Sequence, residues 1–149
     1  MASLTNKTAL VTGASRGIGR ATASALANAG AHVLVHYGHS AQDAESIVAD
    51  IRSKGGRADP IRADLRTPDG ATLLAKEVRS IVGERLDVLV SNAGISKAAT
   101  IKDHTVEDFD NLFATNVRSR KLLCYLINPV GIKRDMSSDL PNGGKRIFV

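Results

Sequence analysis

Cysteine occurs once, at position 124, so no disulfide can close within the chain, and a reducing, cytoplasmic setting is the expectation. Tryptophan is absent and aromatics make up only 3% of residues. That removes the stacking surfaces that single-stranded nucleic-acid binding relies on. No stretch approaches the ~18 uninterrupted apolar residues of a membrane span. The start, Met1–Lys7, is short and polar, without the basic and apolar regions of a secretory signal. The four histidines stand at positions 32, 36, 39 and 104, with no partner cysteines and no paired-His helix spacing. A metal site is therefore not expected. Acidic and basic residues balance over most of the chain: Met1–Val117 holds 13 of each. Seven basic and two acidic residues after that point produce the whole net charge of +5. Neither a nucleic acid nor a membrane is expected as a partner.

What is present is enough apolar residue for a real core: 43% of 149 residues are hydrophobic and 23% are charged. Short β-branched runs alternate with longer helical stretches, the pattern of a parallel sheet covered by helices on both faces. Strands are expected at Thr8–Val11, His32–His36, Ala58–Ala63 and Asp87–Ser91. Pro60 inside the third points to a sheet edge or a strand start. Helices are expected over Gly17–Asn28, closed by Gly30, over Ala41–Lys54 with Ala44, Val48 and Ile51 facing inward, and over Gly70–Val82. Thr105, with Asp108 three residues on, opens a fourth helix through Asn116 and beyond, and its acidic first turn suits the helix dipole. The Lys121–Ile127 run can extend it until Pro129 intervenes. Val130–Gly144 has no period and reads as loop, and Arg146–Val149 reads as the opening of a fifth strand. The fold class is α/β, a Rossmann-like doubly wound parallel sheet of about four strands and the start of a fifth. Residues 1–149 form one domain, regular over 8–119 and atypical over 120–149.

The first strand runs into Thr12-Gly13-Ala14-Ser15-Arg16-Gly17-Ile18-Gly19 and then a helix. Glycines spaced G-x-x-x-G-x-G at a strand-to-helix turn permit positive φ and close approach of backbone N–H groups to a pyrophosphate. The helix start adds partial positive charge. The whole turn over residues 13–19 is expected to offer free amide hydrogens to paired phosphates. Three glycines alone would only mark a tight turn; their place between a buried strand and a helix makes the signal specific.

This Thr-Gly-x-x-x-Gly-Ile-Gly spacing resembles the short-chain dehydrogenase/reductase family, and three further segments agree. Asp64-Leu65 after the third strand resembles the family's adenine-contacting Asp and its neighbour. Asn92-Ala93-Gly94 after the fourth resembles the Asn-Ala-Gly that lies along the coenzyme. Asn116, in Thr115-Asn116-Val117, resembles the family's helix asparagine, which supports a water-linked proton relay. Taken singly, Asp64 and Asn92 also read as turn residues and Asn116 as a surface residue. In order and together they resemble the 3-oxoacyl-carrier-protein-reductase-like members.

The resemblance implies a nicotinamide coenzyme and hydride transfer between it and a carbonyl or alcohol carbon of a small-molecule substrate. Full-length relatives are expected to be homo-oligomers. An acidic residue at the end of the second strand would select NAD. Here that strand runs out through His36-Tyr37-Gly38-His39-Ser40, with no carboxylate before Asp43. Arg16 in the glycine turn, with Ser40 after the strand exit, are the candidates for a 2′-phosphate site, and NADP(H) is the expected coenzyme. The coenzyme candidates are thus Gly13, Ser15, Arg16, Gly17, Ile18, Gly19, Tyr37, Ser40, Asp64, Leu65, Asn92, Ala93 and Gly94, with Asn116 for catalysis.

The family's acid/base tyrosine has a free pKa near ~10 and needs a neighbouring lysine to work near neutrality. Neither tyrosine here forms Tyr-x-x-x-Lys, since Tyr37 is followed four residues on by Ala41 and Tyr125 by Pro129. In the resemblance, the family's serine follows the strand that Lys145–Val149 begins, and its tyrosine and lysine come later. The chain is accordingly expected to hold the coenzyme-binding half and to lack the catalytic Ser, Tyr and Lys. A non-catalytic NADP(H)-binding module is the alternative.

Overall fold

Alternating contacts explain why the first strands are apolar at successive central positions. In the computed structural model, which describes residues 3–83, 85–127 and 147–148, β1 (Thr8–Val11) lies between β2 (His32–Tyr37) and β4 (Val88–Val90). Successive side chains of a strand point to opposite faces. Ala9 and Val11 pack on one face with Val33 and Val35, while Leu10 and Leu34 pack on the other. Leu10 and Leu34 are fully buried, each stabilising the sheet by roughly 1.5–3 kcal/mol of removed apolar surface. Burial on both faces is what an interior parallel strand requires.

All pairings are parallel, and the sheet order is β3-β2-β1-β4-β5, with β3 over Arg57–Arg62 and β5 over Ile147–Phe148. Pro60 therefore stands on an outer strand, as its missing N–H demands. Helices α1 (Gly17–Asn28) and α2 (Ala41–Ser53) cover one face, with Ala44, Ile47, Val48 and Ile51 of α2 buried there. Helix α3 (Gly70–Val82) covers the other face through Ala71, Leu74 and Val78, joined by Leu123 of α5 (Ser119–Ile127).

The expected elements recur with small differences that have local causes. The fourth strand lacks Asp87, whose carboxylate instead accepts from the Thr8 N–H at 3.0 Å and pairs with Lys7 and Arg85. The third strand ends at Arg62, and the Ala63 carbonyl accepts a side-chain bond rather than a ladder bond. The fourth helix is not continuous. Helix α4 (Val106–Phe113) passes through a π-helical turn at Ala114–Arg118 before α5 begins. The expected Thr105 cap is present, a full capping box with Asp108. Pro129 and the expected loop at 130–144 lie outside the described residues.

Candidate functional site

Because every strand runs the same way, all their C-terminal ends lie on one rim. The chain leaves β1 toward β2 and β3 and then crosses back to β4, so the winding reverses between β1 and β4. Such a switch point leaves a crevice above the sheet. Here it is an open cleft of about 320 Å³, walled by residues that follow each of these strands and by Thr115.

The glycine turn forms the near wall. Gly13 and Gly17 have φ of +63° and +58°, in the left-handed region. A Cβ on Gly13 would stand 2.9 Å from Ala93 Cα, and one on Gly19 would collide with the Gly13 carbonyl. Nothing lies within 4 Å of a Cβ built on Gly17, so the space over the turn is open. Arg16 is the N-cap residue of α1 yet gives no side-chain cap, and the first turn holds no acidic residue. Helix geometry leaves the amides of Gly17, Ile18 and Gly19 without intrahelical acceptors, at the positive end of the dipole. Ile18 points outward, 79% exposed, and does not plug them.

Two amides of the turn are not free, contrary to the expectation for residues 13–19. The Gly13 N–H donates to His36 Nδ1 at 3.0 Å, and the Ala14 N–H donates to the His36 carbonyl at 2.8 Å. From the other side, Asn92 Nδ2 donates to the carbonyls of Thr12 and Gly13 at 3.0 and 3.1 Å. The Ala93 N–H reaches Thr12 Oγ1 at 2.9 Å. Asn92 thus stitches the fourth strand's exit to the glycine turn.

Across the cleft the charges are basic with one neutralised acid. Arg66 grips Asp64 through Nη2 at 2.7 Å and Nε at 3.0 Å, and its Nη2 lies 2.8 Å from His39 Nε2. The Arg66 hydrogen bond is the main cause holding the Asp64 carboxyl down at about 2. His39 and Ser40 line the cleft here, Arg16 lines it from the glycine turn, and Leu65 is buried.

Of the residues expected from sequence, Gly13, Ser15, Arg16, Ser40, Asp64, Leu65, Asn92, Ala93 and Gly94 line the cleft. Gly17, Ile18 and Gly19 open α1 beside it. Tyr37 does not line it; its side chain packs on the core layer under α1 and α2. Asn116 does not line it either. Its Oδ1 accepts from the Ile95 N–H and its Nδ2 donates to the Ile95 carbonyl, both at 2.9 Å. This two-point clamp holds the segment after Asn92-Ala93-Gly94 against the π-helical turn and engages both ends of the carboxamide.

Sequence reasoning missed His36, Arg66 and Thr115. For His36 a signal existed, since strand alternation puts it on the same face as buried Leu34. For Thr115 none did. Its hydroxyl is buried on the cleft wall with no hydrogen-bond partner among the described residues. A buried unpaired hydroxyl costs free energy unless something satisfies it. The open glycine turn, the uncapped helix start and this orphan hydroxyl fit a phosphate-bearing dinucleotide. Among the described residues no cluster of side chains could hold a metal ion, and no helix is long and apolar enough to cross a membrane.

The basic residues that follow Val117 begin with structural tasks. Arg118 donates to the Arg66 carbonyl at 2.6 Å and Arg120 to the Ser91 carbonyl at 2.7 Å, tying the helical layer to the strand exits.

Comparison with known proteins agrees with this geometry. A trihydroxynaphthalene reductase of Colletotrichum orbiculare is 44% identical over 119 residues, covering 80% of this chain and 42% of that protein. Versicolorin reductase 1 of Aspergillus parasiticus is 46% identical over 118 residues, covering 78% of this chain and 44% of that protein. The chain thus spans less than half the length of these curated relatives. Among solved structures, the angucycline C-6 ketoreductase LanV with bound NADP superposes with a TM-score of 0.80 at 40% identity, covering 85% of this chain and 51% of that one. A short chain dehydrogenase from Burkholderia cenocepacia in complex with NADP gives a TM-score of 0.79 at 41% identity, covering 84% of this chain and 51% of that one. The short chain dehydrogenase family model matches residues 7–137, which takes in the glycine turn, the Asp64 and Asn92 strand exits and the Asn116 clamp. By that match, the chain belongs to the short chain dehydrogenase family.

Proposed function

We propose that this chain binds NADP(H) in the β1–β4 cleft and forms the coenzyme-holding half of a reductase acting on a carbonyl or alcohol carbon of a small molecule. One observation carries the reading: an open glycine turn, carrying Arg16 and backed by uncapped α1 amides, shares its cleft with His39 and Arg66, and no acid follows the second strand where an NAD-selective site would carry one. The coenzyme, when bound, supplies or accepts a hydride at its nicotinamide. The residues here bind and orient it. The α1 amides receive the pyrophosphate, and Arg16 with Ser40 receives the 2′-phosphate through charge-assisted hydrogen bonds. Asp64 and Leu65 flank the base. Asn92-Ala93-Gly94 forms the floor, and Asn116 holds that floor in place through Ile95. Asn116 is on this reading a positioning residue.

The family's acid/base tyrosine and lysine have no counterpart among the described residues. Tyr37 packs in the core, and Tyr125 is 80% exposed on α5 and absent from the cleft wall. That favours, for residues 1–149 by themselves, coenzyme binding without turnover.

Titration of the folded chain with NADPH and NADH tests the reading. NADPH should bind at least tenfold more tightly, the ~1.4 kcal/mol of one good charge-assisted contact. Arg16→Gln should remove most of that preference while leaving NADH affinity unchanged. A folded sample with no affinity for either coenzyme would refute the proposal, as would ketone reduction by chain whose intact mass ends at Val149.

A further inference from the structure

His36 is the penultimate residue of β2, its ring buried, only 2% exposed, between two backbone groups from different strand exits. Nδ1 lies 3.0 Å from the Gly13 nitrogen, which can only donate, and Nε2 lies 3.0 Å from the Ala63 oxygen, which can only accept. These partners dictate the neutral imidazole with its proton on Nε2. The same residue's carbonyl takes the Ala14 N–H. The glycine turn is therefore held from the β2 side by His36 and from the β4 side by Asn92. Gly13 has no room for a side chain, because a Cβ there would stand 2.9 Å from Ala93 Cα. An error at Gly13 would be carried three residues along a short turn to the α1 amides.

We propose that His36 is a positioning residue for the coenzyme: its Nε2-protonated ring sets the entry of the glycine turn, and so the aim of the α1 amides, without touching the ligand. The inference rests on the coenzyme reading of the cleft. It also explains why a polar ring sits at a face otherwise filled by Leu34. A hydrophobic residue there would leave the Gly13 N–H and the Ala63 carbonyl buried and unpaired.

Burial is the main reason the ring stays neutral, pushed down to about 4 against the opposing pull of the Ala63 carbonyl. The ionisable groups around it are Arg16 from the turn, His39 beyond its own strand, and the Asp64–Arg66 pair beyond β3. None of them is hydrogen-bonded to the ring. Protonation would put a hydrogen on Nδ1 facing the Gly13 N–H, and that bond would be lost.

The test compares the 149-residue chain with His36→Phe, which keeps a planar ring but neither bond, and His36→Gln, which keeps an acceptor and a donor. Binding of NADPH and NADH should weaken by the same factor in the Phe variant, about tenfold, because the pyrophosphate is common to both. The Gln variant should recover most of the loss. Unchanged affinity in a folded Phe variant would overturn the proposal, as would a loss confined to NADPH. Where the Phe variant fails to fold, nitrogen-15 spectra of the wild-type imidazole decide. A proton on Nε2, with the Gly13 amide shifting as the ring titrates, is expected; a proton on Nδ1 at neutral pH would overturn it. A wild type that binds neither coenzyme removes the coenzyme reading itself, and this inference falls with it.

Discussion

The two sides of the cleft are built differently. On the β1–β2–β3 side the strands are sealed between α1, α2 and α3, and the glycine turn is bonded to His36 and Asn92 through part-buried contacts. On the other side, helix α4 has no buried residue at all. Val106, Phe109 and Phe113 along it, and Val117 in the π-helical turn that follows, are each at least half exposed, with the two Phe rings stacked at 4.4 Å. That helix stands on its capping box, the Lys97–Asp108 pair at 2.6 Å and the Asn116 clamp. The first side is part of the core and should open only when the molecule unfolds. The second is docked by a few polar contacts and should open locally.

The sharpest break of this comparison is a pair of truncations. Leu34→Ala removes a fully buried side chain from the middle of the sheet and should cost about 3 kcal/mol of global stability. Phe109→Ser, on the exposed side, should move stability by less than about 0.5 kcal/mol. Urea denaturation of both variants checks the contrast. Equal losses would mean that α4 is as integrated as the sheet.

Acid should act on the buried side first. The folded His36 pKa of about 4 lies below the unfolded value of 6.5. A group depressed in this sense favours folding when neutral. Its contribution is complete above 6.5 and is lost progressively as pH falls toward 4, since the unfolded chain then binds the proton more readily. The total is on the order of 3 kcal/mol. Asp64 and Asp108, both held near 2, lose their contributions only at lower pH, between 3.8 and 2. Urea midpoints measured from pH 7.5 to 4.5 should therefore slope downward, and His36→Gln should flatten the slope. A wild-type profile without slope in that window contradicts the neutral, buried ring.

How much of this was legible follows the same division. The bounds of β1, α1 and α3 coincide with the sequence reading, because the buried run Ala9–Val11 of a doubly covered strand is apolar and glycines mark the adjoining ends. The π-helical turn was not legible: Ala114-Thr115-Asn116-Val117-Arg118 has no proline or glycine to mark a change of pitch. Asn116 was found by its resemblance to a motif, but its contact with Ile95 depends on that turn and on a loop of irregular backbone. Arg66 escaped because charge at a strand exit is commonplace, and only the fold brings it to Asp64 and His39 together. His36 was visible only to a reading that followed alternation into the last two residues of β2.

The smallest effect expected is also the most local. Asn116→Leu keeps bulk but deletes both bonds to Ile95, a loss of about 1 kcal/mol because the bonds are exposed to water. Hydrogen exchange should register it as faster opening over residues 93–118, with rates in β1 and β2 unchanged. The cleft floor at Ala93 and Gly94 is then less well held, so NADPH affinity should fall a few-fold while the urea midpoint hardly moves. That split separates a residue that positions the floor from one that merely stabilises the chain, because a stabilising residue would shift the midpoint and leave the affinity of the folded fraction alone. If instead exchange accelerates in β1 and β2 as well, the two sides of the cleft share one cooperative unit, and the contrast between them is one of exposure without a difference in stability.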